Sequence, residues 1–322
     1  MTTGIDAGRV LLRLGSDKGR VSEVRVASER PAVASYLRAR PADDAVRLVP
    51  LLFALCGQAQ GRAATLALAA ARGTDYPAQL DAAIQREALR EHLWRWLLDL
   101  PAQFGEAAMR EEFVAAAGWV GKGQRDELAA LLNDARIAAL CRRLAEMEDA
   151  SELAPRFLPP LDARASLDCW PRLDADFCRM PHWQGAAAET GAIARRHPGA
   201  GAKLPAFAAR WLARLGELRD WASGTEKVGA GGTASAAQSG TGRGRALVET
   251  ARGLLMHEIV LDGELIADYF IVAPTEWNFH PQGPLAGWLI GRDANDRQPL
   301  QAFAGRAVAA LDPCVRWELE WL

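Results

Sequence analysis

The chain has 322 residues, is 50% hydrophobic and carries a formal net charge of -2. That is ample apolar material for a buried core and too little positive charge to attract nucleic acid. No apolar run reaches bilayer-crossing length and the first residues lack the pattern of a secretory signal, so a cytoplasmic protein with no membrane contact is expected.

In chain order, residues 9–14 and 21–27 read as strands joined by a turn at 15–19, an N-terminal β-hairpin. Asp43 or Asp44 then caps a helix through Leu48, Leu51, Leu52 and Leu55 towards Ala71. Gly57 and Gly61 within it either weaken the helix or let another backbone come close. Pro77 opens a second helix through Leu80, Ile84, Leu89, Leu93, Trp96 and Leu97, closed by Pro101. The helical spacing continues over 112–117 and 124–147. Residues 154–181 are rich in Pro and Asp and read mainly as loop, and a helix follows over 204–221.

Residues 223–245 are rich in Gly, Ala, Ser and Thr. With few apolar groups to offset the entropy of ordering, they read as a flexible low-complexity segment, either a domain boundary or a surface loop. Beyond it, 254–261 and 265–273 are β-rich runs joined by Asp262-Gly263, a second hairpin. A loop over 274–284 and short helices complete the chain. The expected fold class is α+β, predominantly helical: a single domain over 1–322, with a helical bundle between N-terminal and C-terminal β structure.

Four segments carry the chemistry: Glu249-Thr-Ala-Arg252-Gly253-Leu-Leu-Met-His257, Pro274-Thr275-Glu-Trp277-Asn278, Asp312-Pro313-Cys314, and the earlier Glu189-Thr190-Gly191-Ala-Ile-Ala-Arg195. Together, in this order and spacing, they resemble nickel–iron hydrogenase large subunits. Residues 120–180 and the segment over 223–245 match that family poorly. The resemblance implies a large-subunit-like fold, with 223–245 as a surface loop inside it.

The departures decide the functional expectation. Each Cys-x-x-Cys pair of the enzymes keeps one cysteine here, as Cys56-Gly57-Gln58-Ala59 and Cys314-Val315-Arg316-Trp317. By alignment the two that remain match terminal nickel ligands rather than bridging ones. The histidines expected after each pair are Ala63 and Glu320, and the family's proton-relay glutamate is Ala7. Two thiolates cannot build a four-thiolate nickel site, but soft thiolates suit an iron that brings its own strong-field ligands.

The resemblance is specifically to HupK/HoxV-type hydrogenase maturation proteins. It implies a non-enzymatic scaffold that holds an Fe(CN)2(CO) unit, without nickel, for delivery to the hydrogenase large-subunit precursor. The partners implied are that precursor, the cyanide/carbonyl assembly complex and a small accessory chaperone. Cys56 and Cys314 would be the metal ligands, and Arg252, Pro274, Thr275 and Asp312 would surround the iron's diatomic ligands. Donors of this kind stabilise anionic cyanide nitrogens in an apolar pocket.

Each residue also has a plainer reading. Cys56 on an apolar helix can be a small core residue. Arg252 can simply pair with Asp312, Thr275 can be a turn residue, and Trp277 and Asn278 can serve to hold their loop in shape. His257 fits a satisfied core histidine, and Glu189 and Arg195 fit residues that stabilise the fold. Cys141, Cys169 and Cys178 fit structural positions, and His182, His197 and His280 have no metal motif. The five cysteines, odd in number and scattered, do not form a disulfide framework and suit a reducing compartment. The alternative functions are a metal-free interaction module that mimics the large subunit, a residual redox enzyme, and a quinone-module subunit of the respiratory complex. Retention of both Cys56 and Cys314 favours a metal.

Overall fold

A buried apolar run, Val10-Leu11-Leu12 with Leu14, builds β1 (Arg9–Asp17), which turns at Gly19 (φ +74°) into β2 (Arg20–Glu29). The computed structural model describes residues 8–30, 33–53, 55–152, 156–161, 167–196, 204–225 and 231–322. Helices α1 (Ala42–Leu52) and α2 (Gly57–Ala71) follow, then β3 (Tyr76–Leu80) and α3 (Ala82–Trp94). A π-helical turn over Arg95–Asp99 joins α3 to α4 (Leu100–Gln103). Next come α5 (Arg110–Lys122), α6 (Arg125–Leu132) and α7 (Ala135–Glu146). β4 (Ser151–Glu152), α8 (Ala175–Arg179), α9 (Ala192–Arg196) and β5 (Leu204–Pro205) lead to the long α10 (Ala206–Ser223). Four strands follow: β6 (Thr233–Gly240), β7 (Arg243–Thr250), β8 (Gly253–Asp262) and β9 (Leu265–Val272). The chain closes with α11 (Pro274–Asn278), α12 (Pro284–Leu289), α13 (Arg297–Leu311) and β10 (Arg316–Trp321).

Two sheets position the site. In the first, β1 lies between β2, antiparallel, and β10, parallel. One row of this sheet runs Glu29, Arg9, Arg316. Arg30 and Cys314 therefore emerge at the same sheet end, although they are separated by 284 residues. The second sheet has the antiparallel order β3-β6-β7-β8-β9. The helices α3, α5, α6, α7 and α10 pack around Trp96, Trp211, Leu93 and Leu97, with Trp96 Nε1 donating to Trp211 O at 3.0 Å. Among the described residues no helix is long and apolar enough to cross a membrane.

Helix α2 lies directly on the second sheet. Its Ala59, Ala63, Ala64, Ala67 and Ala70 are fully buried, and Ala234 and Ala246 of the sheet face them in the same cluster. A methyl group at Gly244 would fall 2.0 Å from Ala71 N and 2.3 Å from Ala67 O. Small residues on both sides are what let the helix sit this close.

That packing corrects the expectation for 223–245. Residues 233–240 and 243–245 are strand, with Thr233–Ala236 and Arg243–Arg245 buried; residues 226–230 lie outside the described residues. The composition that resembles a flexible linker is here a small-residue packing face, and its entropy of ordering is offset by α2 rather than by large side chains.

Other expectations need adjustment. The first predicted helix is two, α1 ending at Leu52 and α2 starting at Gly57, with Cys56 preceding α2. The α1 N-cap is Pro41, not an aspartate. Gly57 and Gly61 are where α1 approaches: a Cβ on either would meet Pro50 at 3.2 Å. Pro77 lies in β3, an edge strand that tolerates a missing N–H. The helix after it starts at Asp81, whose side chain accepts from Ala83 N at 3.0 Å. Pro101 does not end that helix but occupies the first turn of α4. Residues 274–278 are helical, and the chain closes in a strand rather than in helices. Both predicted hairpins are present, the first enlarged by the distant β10 and the second by the neighbouring β7 and β6 and the distant β3.

The close helix–sheet contact predicts that Gly244→Ala lowers the unfolding free energy by about 3 kcal/mol, the upper range for overpacking. Gly121→Ala in α5, which has open space around it, should instead stabilise by about 0.5–1 kcal/mol. Urea denaturation of both variants checks the contrast.

Candidate functional site

The four motif segments meet around Asn278. Its Oδ1 accepts from Thr190 N at 2.9 Å, and its Nδ2 donates to Arg252 O at 3.2 Å and, more weakly, to Leu311 O at 3.5 Å. Thr190 Oγ1 accepts from Leu254 N at 2.9 Å. Gly191 and Gly253 pass so close that a Cβ on Gly253 would lie 2.3 Å from the Thr190 side chain. The conformational freedom of both glycines is used, with φ +110° and +132°.

Beside this clasp lies the buried carboxylate of Asp312. It is 3% exposed and sits among Arg95 Nε at 2.7 Å, Arg252 Nε at 3.4 Å and Arg214 Nε at 3.9 Å. Burial disfavours its charge, yet Arg95, Arg252 and Arg214 together hold its carboxyl well below the usual carboxylate range. Asp312 caps α13 in the left-handed region, φ +58°. Pro313 then prevents the helix from continuing and sends Cys314 towards β10.

Cys314 is half-buried and has a polar setting. Arg30 Nη2 donates to its Sγ at 2.7 Å, and Thr275 Oγ1 lies 3.2 Å from the same sulfur. Thr275 Oγ1 also accepts from Cys314 N at 3.4 Å, which leaves its hydrogen available to the sulfur. Arg30 is held from behind by Glu276 Oε1 at 2.8 Å. Glu276 is fixed in turn by Ala273 N at 2.9 Å and Ser28 Oγ at 3.1 Å. Pro274 starts this turn at a position where a missing N–H is harmless.

Cys56 precedes the first turn of α2, where Glu87 accepts from Gln58 N at 2.8 Å and Ala59 N at 3.0 Å. Its sulfur receives one long contact, Gln60 Nε2 at 3.7 Å. Burial pushes the Cys56 thiol up to about 12; Cys314 and Glu91 add to the rise, while Arg252 and Gln60 oppose it. Both sulfurs also act on the guanidinium charges of Arg30 and Arg252. The two cysteines thus share one electrostatic neighbourhood. Arg252 is ion-paired with Glu91, whose carboxyl burial raises to about 7 against the pull of Arg252.

Of the residues singled out in the sequence, Cys56, Cys314, Arg252, Thr275 and Asp312 converge here. The Arg252–Asp312 pair is present. Glu189 and Arg195 serve the fold: Glu189 accepts from Arg210 at 2.7 Å, and Arg195 joins Glu217 and Glu249 at 2.6 and 2.8 Å. Trp277 is buried edge-on against Phe177. Cys141 and Cys178 pack against apolar clusters, whereas Cys169 is exposed and so not a core position. His182 rests edge-on against Phe177, and His280 Nδ1 accepts from Gln282 N at 3.0 Å. Ala7 and His197 lie outside the described residues. Sequence reasoning missed Arg30, Gln60, Glu91 and Arg95. None sits in a motif, and only the sheet register brings Arg30 to Cys314.

The donor set is incomplete for a metal held by protein alone. Among the described residues no three or more His, Cys, Asp or Glu side chains gather to hold an ion. Two sulfurs flanked by guanidinium and hydroxyl donors suit a metal that arrives with its own anionic ligands.

Removing the anion at Asp312 strands buried guanidinium groups, so Asp312→Ala should lower the unfolding free energy by about 3–5 kcal/mol. Its depressed carboxyl contributes stability that is fully present above its unfolded value of 3.8 and is lost as pH falls through the folded value. Asp312→Asn should accordingly flatten the acid limb of a stability–pH profile measured by urea unfolding.

Comparison with known proteins places this geometry in a family. Residues 206–316 match the nickel-dependent hydrogenase family model. The hydrogenase expression/formation protein HoxV of Cupriavidus necator is 32% identical, over 98% of this chain and 95% of its own. HupK of Rhizobium leguminosarum bv. viciae, of the same description, is 30% identical over 99% of this chain and 98% of its own. Among solved structures, the nickel–iron–selenium hydrogenase of Desulfovibrio vulgaris Hildenborough overlays with a TM-score of 0.57 at 16% identity. That overlay covers 93% of this chain and 94% of that chain, and it speaks for the fold alone. With relatives this similar along almost its full length, the chain belongs to the HoxV/HupK family of hydrogenase expression/formation proteins.

Proposed function

We propose that this protein is a non-catalytic factor in hydrogenase formation that transiently carries an iron with cyanide and carbonyl ligands between Cys56 and Cys314. The observation that carries this reading is the convergence of two motif cysteines with Arg252, Arg30 and Thr275. Hydroxyl and guanidinium donors match the nitrogen ends of bound cyanide. Two soft thiolates match low-spin iron that needs few protein ligands. Binding through only two sulfurs keeps the cargo releasable. Nickel finds no four-sulfur site here and is not expected. Loading displaces the proton that Cys56 carries at neutral pH, since a thiolate is the ligand.

In this reading the partners are the complex that assembles cyanide and carbonyl on iron, a small accessory chaperone, and the hydrogenase large-subunit precursor, all met in the cytoplasm. The relatives' description as expression/formation proteins supports the general role. The other reading, a metal-free module that mimics the large subunit, requires neither sulfur.

The test is anaerobic purification from a host with an active maturation system, followed by iron analysis and infrared spectroscopy. Iron with metal-bound cyanide and carbonyl bands is expected, and the bands should vanish in Cys56→Ala and Cys314→Ala. Clean, folded protein without iron or diatomic bands would overturn the carrier role. Such protein, still bound to maturation partners, would establish the interaction module.

A further inference from the structure

Two soft sulfurs in one neighbourhood attract several divalent metals, because raw affinity follows the metal and selectivity has to come from what surrounds the ligands. At Cys314 that surrounding group is Arg30, a residue outside every motif. Its Nη2 donates to Cys314 Sγ at 2.7 Å, and its Nε pairs with Glu276 Oε1 at 2.8 Å. Thr275 Oγ1 lies 3.2 Å from the same sulfur. A thiol, a carboxylate and a hydroxyl brought together in this way are the makings of a divalent-cation site. Here a guanidinium engages the first two in place of a metal.

The consequence depends on the charge of the newcomer. An arginine stays charged at every working pH. The Arg30 and Glu276 side chains are only 18% and 9% exposed, so water and salt screen them little. A bare divalent ion on Cys314 lies about 2.3 Å from the sulfur. It is therefore no farther than about 5 Å from Arg30 Nη2, a range at which like charges repel strongly where water is scarce. To gain Glu276 as a ligand it must also displace the guanidinium. An iron(II) with two cyanides and a carbonyl carries no net charge, and its cyanide nitrogens accept from guanidinium N–H groups. The group that repels the first cargo binds the second.

We propose that Arg30 is a specificity-determining residue, a built-in cation that keeps nickel and other bare divalent ions off Cys314 while admitting a metal whose own anionic ligands neutralise it. The admitting half rests on the carrier role proposed above. The excluding half concerns the protein alone and is examined without iron.

The experiment measures nickel(II) binding to the full-length, metal-free protein by anaerobic equilibrium dialysis. It compares the wild type with Arg30→Met, Arg30→Lys, and Arg30→Met combined with Cys314→Ala. Arg30→Met removes the charge and frees Glu276, so the nickel dissociation constant should fall by roughly tenfold or more. Arg30→Lys keeps the charge and should bind nickel as weakly as the wild type. Adding Cys314→Ala should abolish the gain, which locates the ion at this sulfur rather than at the exposed Cys169. A merely structural Arg30 predicts no gain that depends on Cys314. If Arg30→Met fails to fold, Arg30→Gln, whose amide can still donate to Glu276, should show the same gain. Three results overturn the inference: a folded neutral variant that binds nickel no more tightly than the wild type, a gain that survives Cys314→Ala, or an Arg30→Lys protein that binds as tightly as the neutral variant. Failure of the carrier role looks different, as wild-type protein without diatomic bands but with the nickel contrast intact. In protein from the maturation host, Arg30→Met should carry less iron with diatomic bands and more nickel. Iron and bands at the wild-type level in that variant would overturn the admitting half.

Discussion

The site depends on one buried anion. Asp312 is surrounded by Arg95 from the π-helical turn after α3, Arg214 from α10 and Arg252 from the turn between β7 and β8. These elements come from distant parts of the chain, and their positive charges could not approach one another without it. Such a cluster adds little net stability over an apolar core, but breaking it strands charge. Its effect is therefore geometric. It fixes where α13 ends, and two residues later the chain presents Cys314.

A second constraint acts at the other cysteine. Alanines and glycines let α2 rest on the sheet at backbone contact, and Glu87 caps the amides at its start. The start of α2 is thereby fixed relative to β7 and β8, and with it Cys56 relative to Arg252. Asn278 completes the arrangement by joining residue 190, residue 252 and the end of α13 through one amide. Asn278 holds the segments together, while Trp277 packs edge-on against Phe177.

The two sulfurs are not equivalent. Cys314 sits against Arg30 and Thr275, with a guanidinium and a hydroxyl at its sulfur. Cys56 is buried beside an amide, and burial pushes its thiol up to about 12. One sulfur is met by a charged donor and the other by a neutral amide.

The sequence by itself determined the motif residues and both hairpins. These depend on local signals: alternating strands, Asp-Gly at a turn, and Asp-Pro-Cys after a helix. Composition misled at 233–245, because the same small residues that characterise a linker also let a helix lie on a sheet, and only the partner distinguishes the two. Tertiary structure alone decided that Arg30 reaches Cys314, since parallel pairing of β1 with β10 joins the two ends of the chain. It alone decided that His257 is tied through Gln60 to Cys56, across 197 residues between histidine and glutamine. Long-range pairing of this kind has no local signature, because it is set by sheet register and by which buried polar groups must satisfy one another.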